Sequence, residues 1–235
     1  MNKTISVVLP TYNERENVEL LIPRLECLFK KKGYRLLEIV VVDDHSPDKT
    51  AEICEELNET YKNIKVFLKK REGIGAALRV GYNLAKGGII LSMDADLSFD
   101  TKDIPKLLKK IDEGYDLVLG CRHSKHGGYE TENIATKIKG AVSSIGNKLI
   151  PFIVGIDIHD FSGNFRAIRR EVLKTIKTRD NTNSMLLEMI VKTHRMNYRI
   201  AEVPVTFKER RFGRSKLNLS KEVFRFIYKL LKYRR

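Results

Sequence analysis

Short, unbroken apolar runs, each closing on a polar cluster, punctuate the first half of the chain. Thr4-Ile-Ser-Val-Val-Leu9 stops at Pro10 and passes into Pro10-Thr-Tyr-Asn-Glu14. Glu38-Ile-Val-Val-Val42 stops at Asp43-Asp44-His-Ser-Pro-Asp48. Gly88-Ile-Ile-Leu-Ser-Met93 stops at Asp94-Ala-Asp96, and Asp116-Leu-Val-Leu-Gly-Cys121 stops at Arg122. Ile64 to Leu68 is a further run. Runs without polar alternation belong to strands buried on both faces. Between them the apolar period becomes helical. Val18, Leu21, Ile22, Leu25 and Leu28 form one stripe. A second helix, capped by Asp48 or Ser46, runs to about Tyr61; another opens at Gly73, and another spans about Asp103 to Glu113. Strands alternating with helices predict βαβ units, an α/β class and a mainly parallel sheet.

Open sheets of this kind bind ligands beyond the carboxyl ends of their strands. Tyr12 to Glu14, Asp43 to Asp44, Asp94 to Asp96, and Arg122 all sit at such ends and define one rim. Asp94 and Asp96 are separated by one residue, so in an extended chain both side chains point the same way. Two carboxylates converging there suit a hard cation, Mg2+ or Mn2+, that keeps waters and bridges to phosphate oxygens. Taken alone, Asp-x-Asp serves equally well to solvate a turn; the neighbouring clusters favour the cation.

The chain has 235 residues, enough for a single α/β domain, and is 42% hydrophobic and 31% charged, which places it among globular proteins. Its net charge of +14 is unevenly spread. Residues 1–120 hold 19 Lys and Arg against 20 Asp and Glu, while residues 121–235 hold 25 against 10. The basic half is expected to face phosphates, a lipid surface or nucleic acid. A nucleic-acid module is set aside because no helix-turn-helix, zinc-finger or stacked-aromatic pattern accompanies the charge. Cys27, Cys54 and Cys121 lack metal or redox spacing and are expected to be reduced, as in a cytosolic protein. No apolar stretch approaches the about 18 residues of a membrane span. With a strand beginning within the first residues, no signal peptide is expected.

The second half changes character. Gly73-x-Gly75 lacks the third glycine of a dinucleotide loop and predicts close backbone approach instead. His123-x-x-His126 before Gly127-Gly128 predicts a mobile loop. Ile134, Ile138, Val142, Ile145 and Leu149 make an amphipathic helix with Lys137, Lys139 and Lys148 off the stripe. Asp160-Phe-Ser-Gly-Asn-Phe-Arg166 leads into a strand, Ser184 to His194 is a helix carrying Glu188, and Tyr198 to Phe207 is a strand that Pro204 places near an edge or bulge. Residues 208–216 hold five cations in nine positions, a density suited to clamping a diphosphate. Leu219 to Tyr233 is a basic amphipathic helix, apolar along Val223, Phe224, Ile227, Leu230 and Leu231, and suits an anionic interface.

Taken together, these motifs resemble the polyprenyl-phosphate branch of glycosyltransferase family two, over nearly the whole chain. Pro-Thr-Tyr-Asn-Glu (10–14), Val-Asp-Asp-x-Ser-Pro-Asp (42–48) and Asp-Ala-Asp-Leu (94–97) match its donor half. Gly120-Cys-Arg122 with Gly127-Gly128, Asp160-x-Ser-Gly163, Glu202-Val-Pro204 and Arg210-x-x-Gly-x-Ser-Lys216 match its acceptor half. The resemblance implies a GT-A fold in one catalytic domain: a donor half at 1–120, an acceptor half at 121–217 and a basic helix at 218–235. It implies inverting transfer of mannose from GDP-mannose to a polyprenyl (dolichyl) phosphate, with UDP-glucose as the rival donor. Pro10, Tyr12, Glu14, Val42 and Asp44 then correspond to nucleoside positions, and Asp94, Ala95 and Asp96 to the metal and diphosphate site. Arg122, Arg210 and Lys216 correspond to phosphate positions, with Arg210 and Lys216 on the donor. Ser98 stands where relatives often carry a glutamine metal ligand. The counterpart of a second acceptor-phosphate arginine of relatives is expected near Lys137, Lys139 and Ser144. The resemblance also implies peripheral attachment to the cytoplasmic face of a membrane, with the option of a separate membrane subunit.

Overall fold

In a computed structural model of the chain, residues 3–124, 127–130, 155–210 and 212 are described. The predicted alternation is present. Strand β1 (Thr4–Thr11) leads to helix α1 (Arg15–Lys32), β2 (Arg35–Asp43) to α2 (Thr50–Tyr61), and β3 (Ile64–Leu68) to α3 (Ile74–Leu84). Strand β4 (Ile89–Ser92) is followed by α4 (Ile104–Asp112) and β5 (Leu117–Cys121). Then come β6 (Gly128–Glu130), β7 (Arg166–Arg169), α5 (Arg170–Thr175), α6 (Ser184–Arg195), β8 (Ile200–Pro204) and β9 (Thr206–Lys208).

Seven strands form one sheet in the order β3-β2-β1-β4-β7-β5-β8. Neighbours run parallel except at β7, which is antiparallel to both β4 and β5. Alternate residues of each strand feed opposite faces, as the pleat requires. Val7, Leu9, Ile39, Val41 and Leu91 pack under Val18, Leu21, Ile22 and Leu25 of α1 and Leu107, Leu108 and Ile111 of α4. Val8, Val40, Val42 and Ile90 pack on the other face, under Leu78 and Tyr82 of α3 and Met185 to Val191 of α6. Truncating one fully buried leucine of this core, such as Leu21, costs about 2–5 kcal/mol through lost transfer energy and the cavity left behind.

Several local expectations hold, and others are corrected. Gly73 (φ +106°) and Gly75 are there for close approach: a Cβ on Gly75 would lie 2.6 Å from the carbonyls of both Asp180 and Thr182. Pro204 ends β8, the outermost strand, as its missing N–H demands. The strand expected over Tyr198 to Phe207 is two strands: Val205 N still donates to the Cys121 carbonyl of β5, while the Val205 carbonyl already accepts from Gly128 N. The second piece, β9, pairs with β6 in a two-stranded ribbon. Gly128, expected within a loop, therefore opens β6, with Gly127 just before it. Gly127 passes so close that a Cβ would stand 2.5 Å from the Cys121 carbonyl. Cys27 is exposed, Cys54 and Cys121 are buried, and all three are free thiols. The helices expected over 134–149 and 219–233, with His126, Lys137, Lys139, Ser144 and Lys216, lie outside the described residues.

Candidate active site

The carboxyl ends of β1, β2, β4 and β5 lie along one edge of the sheet. At β2 the two consecutive aspartates divide their work. Asp43, fully buried, accepts from Thr11 Oγ1 (2.7 Å), Ser46 N (2.7 Å) and Ser46 Oγ (2.6 Å), so it builds the turn. Asp44 instead pairs with Lys69 at 3.1 Å, and burial raises its carboxyl above the ordinary range against that pull. Beside it the Arg71 guanidinium lies 3.8 Å over the Tyr12 ring. Glu14 accepts from Asn17 Nδ2 at 2.7 Å. Pro10 and Val42 are register partners on the adjoining strands, with Val42 buried. Lys69 and Arg71 were not singled out from the sequence. Their signal was the Lys-Lys-Arg cluster that follows β3, the same arrangement seen after the other strands.

Beyond β4 the chain bends sharply. Asp96 accepts from Ser98 N at 3.1 Å, and Leu97 between them holds φ +61°. Asn13 and His45, at the adjoining strand ends, also sit at positive φ. A non-glycine residue there costs about 1 kcal/mol or more. Ala95 is buried between the two acids. Burial, and Asp96 beside it, push the Asp94 carboxyl up to about 7. The Ser98 hydroxyl is buried with no hydrogen-bond partner among the described residues. Two carboxylates and an unsatisfied hydroxyl form an all-oxygen donor set, which fits Mg2+ or Mn2+. Among the described residues no group of three His, Cys, Asp or Glu could enclose a metal.

The second half brings its cations to the same edge by identifiable contacts. Phe99 bridges to Phe207, and Lys208 N donates to the Ser98 carbonyl at 2.8 Å. The chain leaving β9 thus runs beside the Asp96 turn and sets Arg210 Nη2 2.9 Å from Asp96 Oδ2. Arg122, at the end of β5, is gripped by Asp160 through Nε (2.7 Å), Nη2 (2.8 Å) and its own N–H (3.1 Å), and by Ser162 Oγ at 2.7 Å. Arg122 holds the fully buried Asp160 carboxyl below the ordinary range despite the desolvation. Glu202 of β8 in turn accepts from Asp160 N at 2.8 Å and His159 N at 3.0 Å. The separate sequence motifs at 122, 160 and 202 are therefore one linked structure. Asp160, as the partner of Arg122, was not foreseen.

Residues 6–177 match the model of glycosyl transferase family 2. The chain belongs to glycosyl transferase family 2. It is 37% identical over 234 residues to the dolichol-phosphate mannosyltransferase of Pyrococcus furiosus, covering 97% of this chain and 64% of that protein. The polyprenol monophosphomannose synthase of Mycolicibacterium smegmatis is 32% identical over 220 residues, covering 90% of this chain and 80% of that protein. Among solved structures, glucosyl-3-phosphoglycerate synthase from Mycobacterium tuberculosis, in complex with Mn2+, UDP and phosphoglyceric acid, superposes with a TM-score of 0.74 at 22% identity, covering 98% of this chain and 78% of that chain. The α/β class and the GT-A type of fold expected from the sequence hold for this family 2 chain. No helix among the described residues is long and apolar enough to cross a membrane.

Proposed function

We propose that the chain transfers mannose from GDP-mannose to a polyprenyl (dolichyl) phosphate with inversion at the sugar carbon. The observation that carries this is the pairing of two opposite charge centres on one rim: Asp94 and Asp96 at the tip of β4, with Arg210 against Asp96 and Arg122 clamped at the tip of β5. The relatives named for dolichol-phosphate and polyprenol-phosphate mannose transfer support the sugar and the acceptor class.

In this assignment Pro10, Tyr12, Glu14, Val42 and Asp44 line the nucleoside end of the donor. Asp94 and Asp96, with Ser98, would hold Mg2+ or Mn2+, which supplies charge stabilisation for the departing nucleoside diphosphate. Arg210, resting on Asp96 before the donor arrives, exchanges that carboxylate for diphosphate oxygens, with Lys216 assisting. Arg122 holds the acceptor phosphate, with Lys137, Lys139 and Ser144 as further candidate contacts. A phosphate monoester is already an anionic oxygen nucleophile near pH 7, so no strong general base is required. The chain's task is to hold two phosphates close together against their repulsion. One preorganised contact of this kind is worth about 3 kcal/mol of barrier, roughly a hundredfold in rate. The basic segment 218–235, whose apolar period suits a helix, would rest on the cytoplasmic face of an anionic membrane, with or without a membrane subunit, and bring the site to the lipid.

Calorimetric titration with GDP, UDP and their sugars in Mn2+, followed by radiolabelled transfer to polyprenyl phosphate, tests the assignment. GDP-mannose is expected to bind and be consumed. Selective binding and consumption of UDP-glucose would overturn the donor, and an unlabelled lipid fraction would overturn the acceptor.

A further inference from the structure

We infer that Asn164 is a positioning residue for Asp94: its side-chain amide holds that carboxylate in the orientation in which it receives a divalent cation. This rests on the cation site proposed above. The antiparallel register from Ile89↔Arg169 to Ser92↔Arg166 runs without a break. Carried two residues further, it sets Asn164 directly across from Asp94. Asn164 is 2% exposed, and its Nδ2 donates to Asp94 Oδ1 at 3.0 Å. Its Oδ1 is buried without a hydrogen-bond partner among the described residues. A buried amide half-used in this way keeps one acceptor in reserve, and a cation-bound water can satisfy it.

The backbone around Asn164 is fixed on both sides. Gly163 N donates to Asp160 Oδ1 at 3.2 Å. The Phe165 carbonyl accepts from Gly120 N at 2.8 Å, and the Phe165 ring stacks on Phe99 with centroids 5.0 Å apart. Arg166, fully buried, donates from Nη1 to the Leu186 carbonyl at 3.2 Å and from Nη2 to the Gly163 carbonyl. The amide thus sits just ahead of β7, on a segment tied down on either side of it. The residue type also fits. A lysine or arginine in its place would neutralise Asp94 and repel the cation. A third carboxylate would add repulsion to a pair that already repels. A neutral donor orients the anion and leaves its charge available.

The test is Mn2+ titrated into the full chain, with free ion followed by its electron paramagnetic resonance signal. Asn164→Ala and Asn164→Ser both remove the amide donor, and Ser guards against a misfolded Ala variant. Metal-free urea midpoints establish that each is folded. Each substitution is expected to weaken Mn2+ binding about tenfold or more. In an Asp94→Ala background, where the carboxylate that Asn164 contacts is gone, it is expected to change nothing further. Mn2+ affinity within about twofold of wild type for both variants, or an equal loss in the Asp94→Ala background, would overturn the role of Asn164 alone. Wild-type Mn2+ binding that Asp96→Ala leaves unaltered would remove the cation site itself, and this assignment with it.

Discussion

Removing the Asp160 carboxylate is the sharpest probe of how the proposed acceptor side is built. Asp160 is fully buried and the Arg122 side chain is 11% exposed, so Asp160→Ala strands a cation away from water. It also orphans the N–H groups of Arg122, Ser162 and Gly163, which the carboxylate now accepts at 3.1, 3.3 and 3.2 Å. Breaking a buried pair by deleting one partner costs about 3–5 kcal/mol. With a urea slope of about 3 kcal/mol per molar, the midpoint falls by about 1 M or more. The acid limb follows from the depressed Asp160 carboxyl. Its contribution is present above the unfolded-state value near 4 and is lost as pH falls through the folded-state value. The gap between wild type and Asp160→Ala therefore closes in strong acid. Function should divide in the same way: KM for the lipid phosphate rises, while nucleotide binding at the other end of the rim is retained. A urea midpoint within about 0.3 M of wild type, together with an unchanged acceptor KM, would refute the claim that Asp160 holds Arg122 in place.

Asp96→Ala is expected to leave a folded protein with transfer lowered about a hundredfold or more; wild-type turnover with metal still required would remove Asp96 from the chemistry. Because the Asp94 carboxyl is raised to about 7 without metal, Mn2+ must displace its proton, so Mn2+ affinity measured by calorimetry should fall as pH drops below about 7. The sign for stability is opposite: in metal-free protein the contribution of protonated Asp94 is complete below about 4 and is lost as pH rises through about 7, visible in thermal midpoints against pH. Gly75→Ala drives a methyl into the Asp180 and Thr182 carbonyls and should cost about 1–3 kcal/mol, read as a lower melting temperature with the acidic site intact. Deleting residues 219–235 should spare donor binding and impair use of long-chain lipid; a truncated protein that still floats with anionic vesicles would dismiss the interface helix.

The parallel strands were legible because burial on both faces writes itself as an unbroken apolar run, as in Ile39 to Val42. The rim was legible for the same reason, since each run stops where the chain turns polar. The direction and place of β7 were not. Its four residues begin and end with arginine, and nothing in Arg166-Ala-Ile-Arg169 states that it enters between β4 and β5 or that Arg166 is fully buried. Once the strand is antiparallel, the residues before it, rather than after it, arrive at the ligand edge. That is why Asp160 was recognised as part of a motif without its partner, and Asn164 was not singled out as a site residue. Strand β6 was missed because three residues beginning with glycine carry no period. Lys69 and Arg71 escaped because the rim was not extended to the end of β3.

The placement of β7 also has a consequence for how the protein comes into being. As the polypeptide leaves the ribosome, β1 to β4 can assemble in sequence, but β4 must wait for the chain to reach Arg169 before its second neighbour exists. Strand β5, made earlier than β7, cannot join the growing sheet until β7 is inserted. Pairings of such long sequence separation slow folding. During that interval β4 offers an open edge, a hazard for pairing with another nascent chain. Completion of the rim is thus expected to come late in folding, with the strand that fills the gap between β4 and β5.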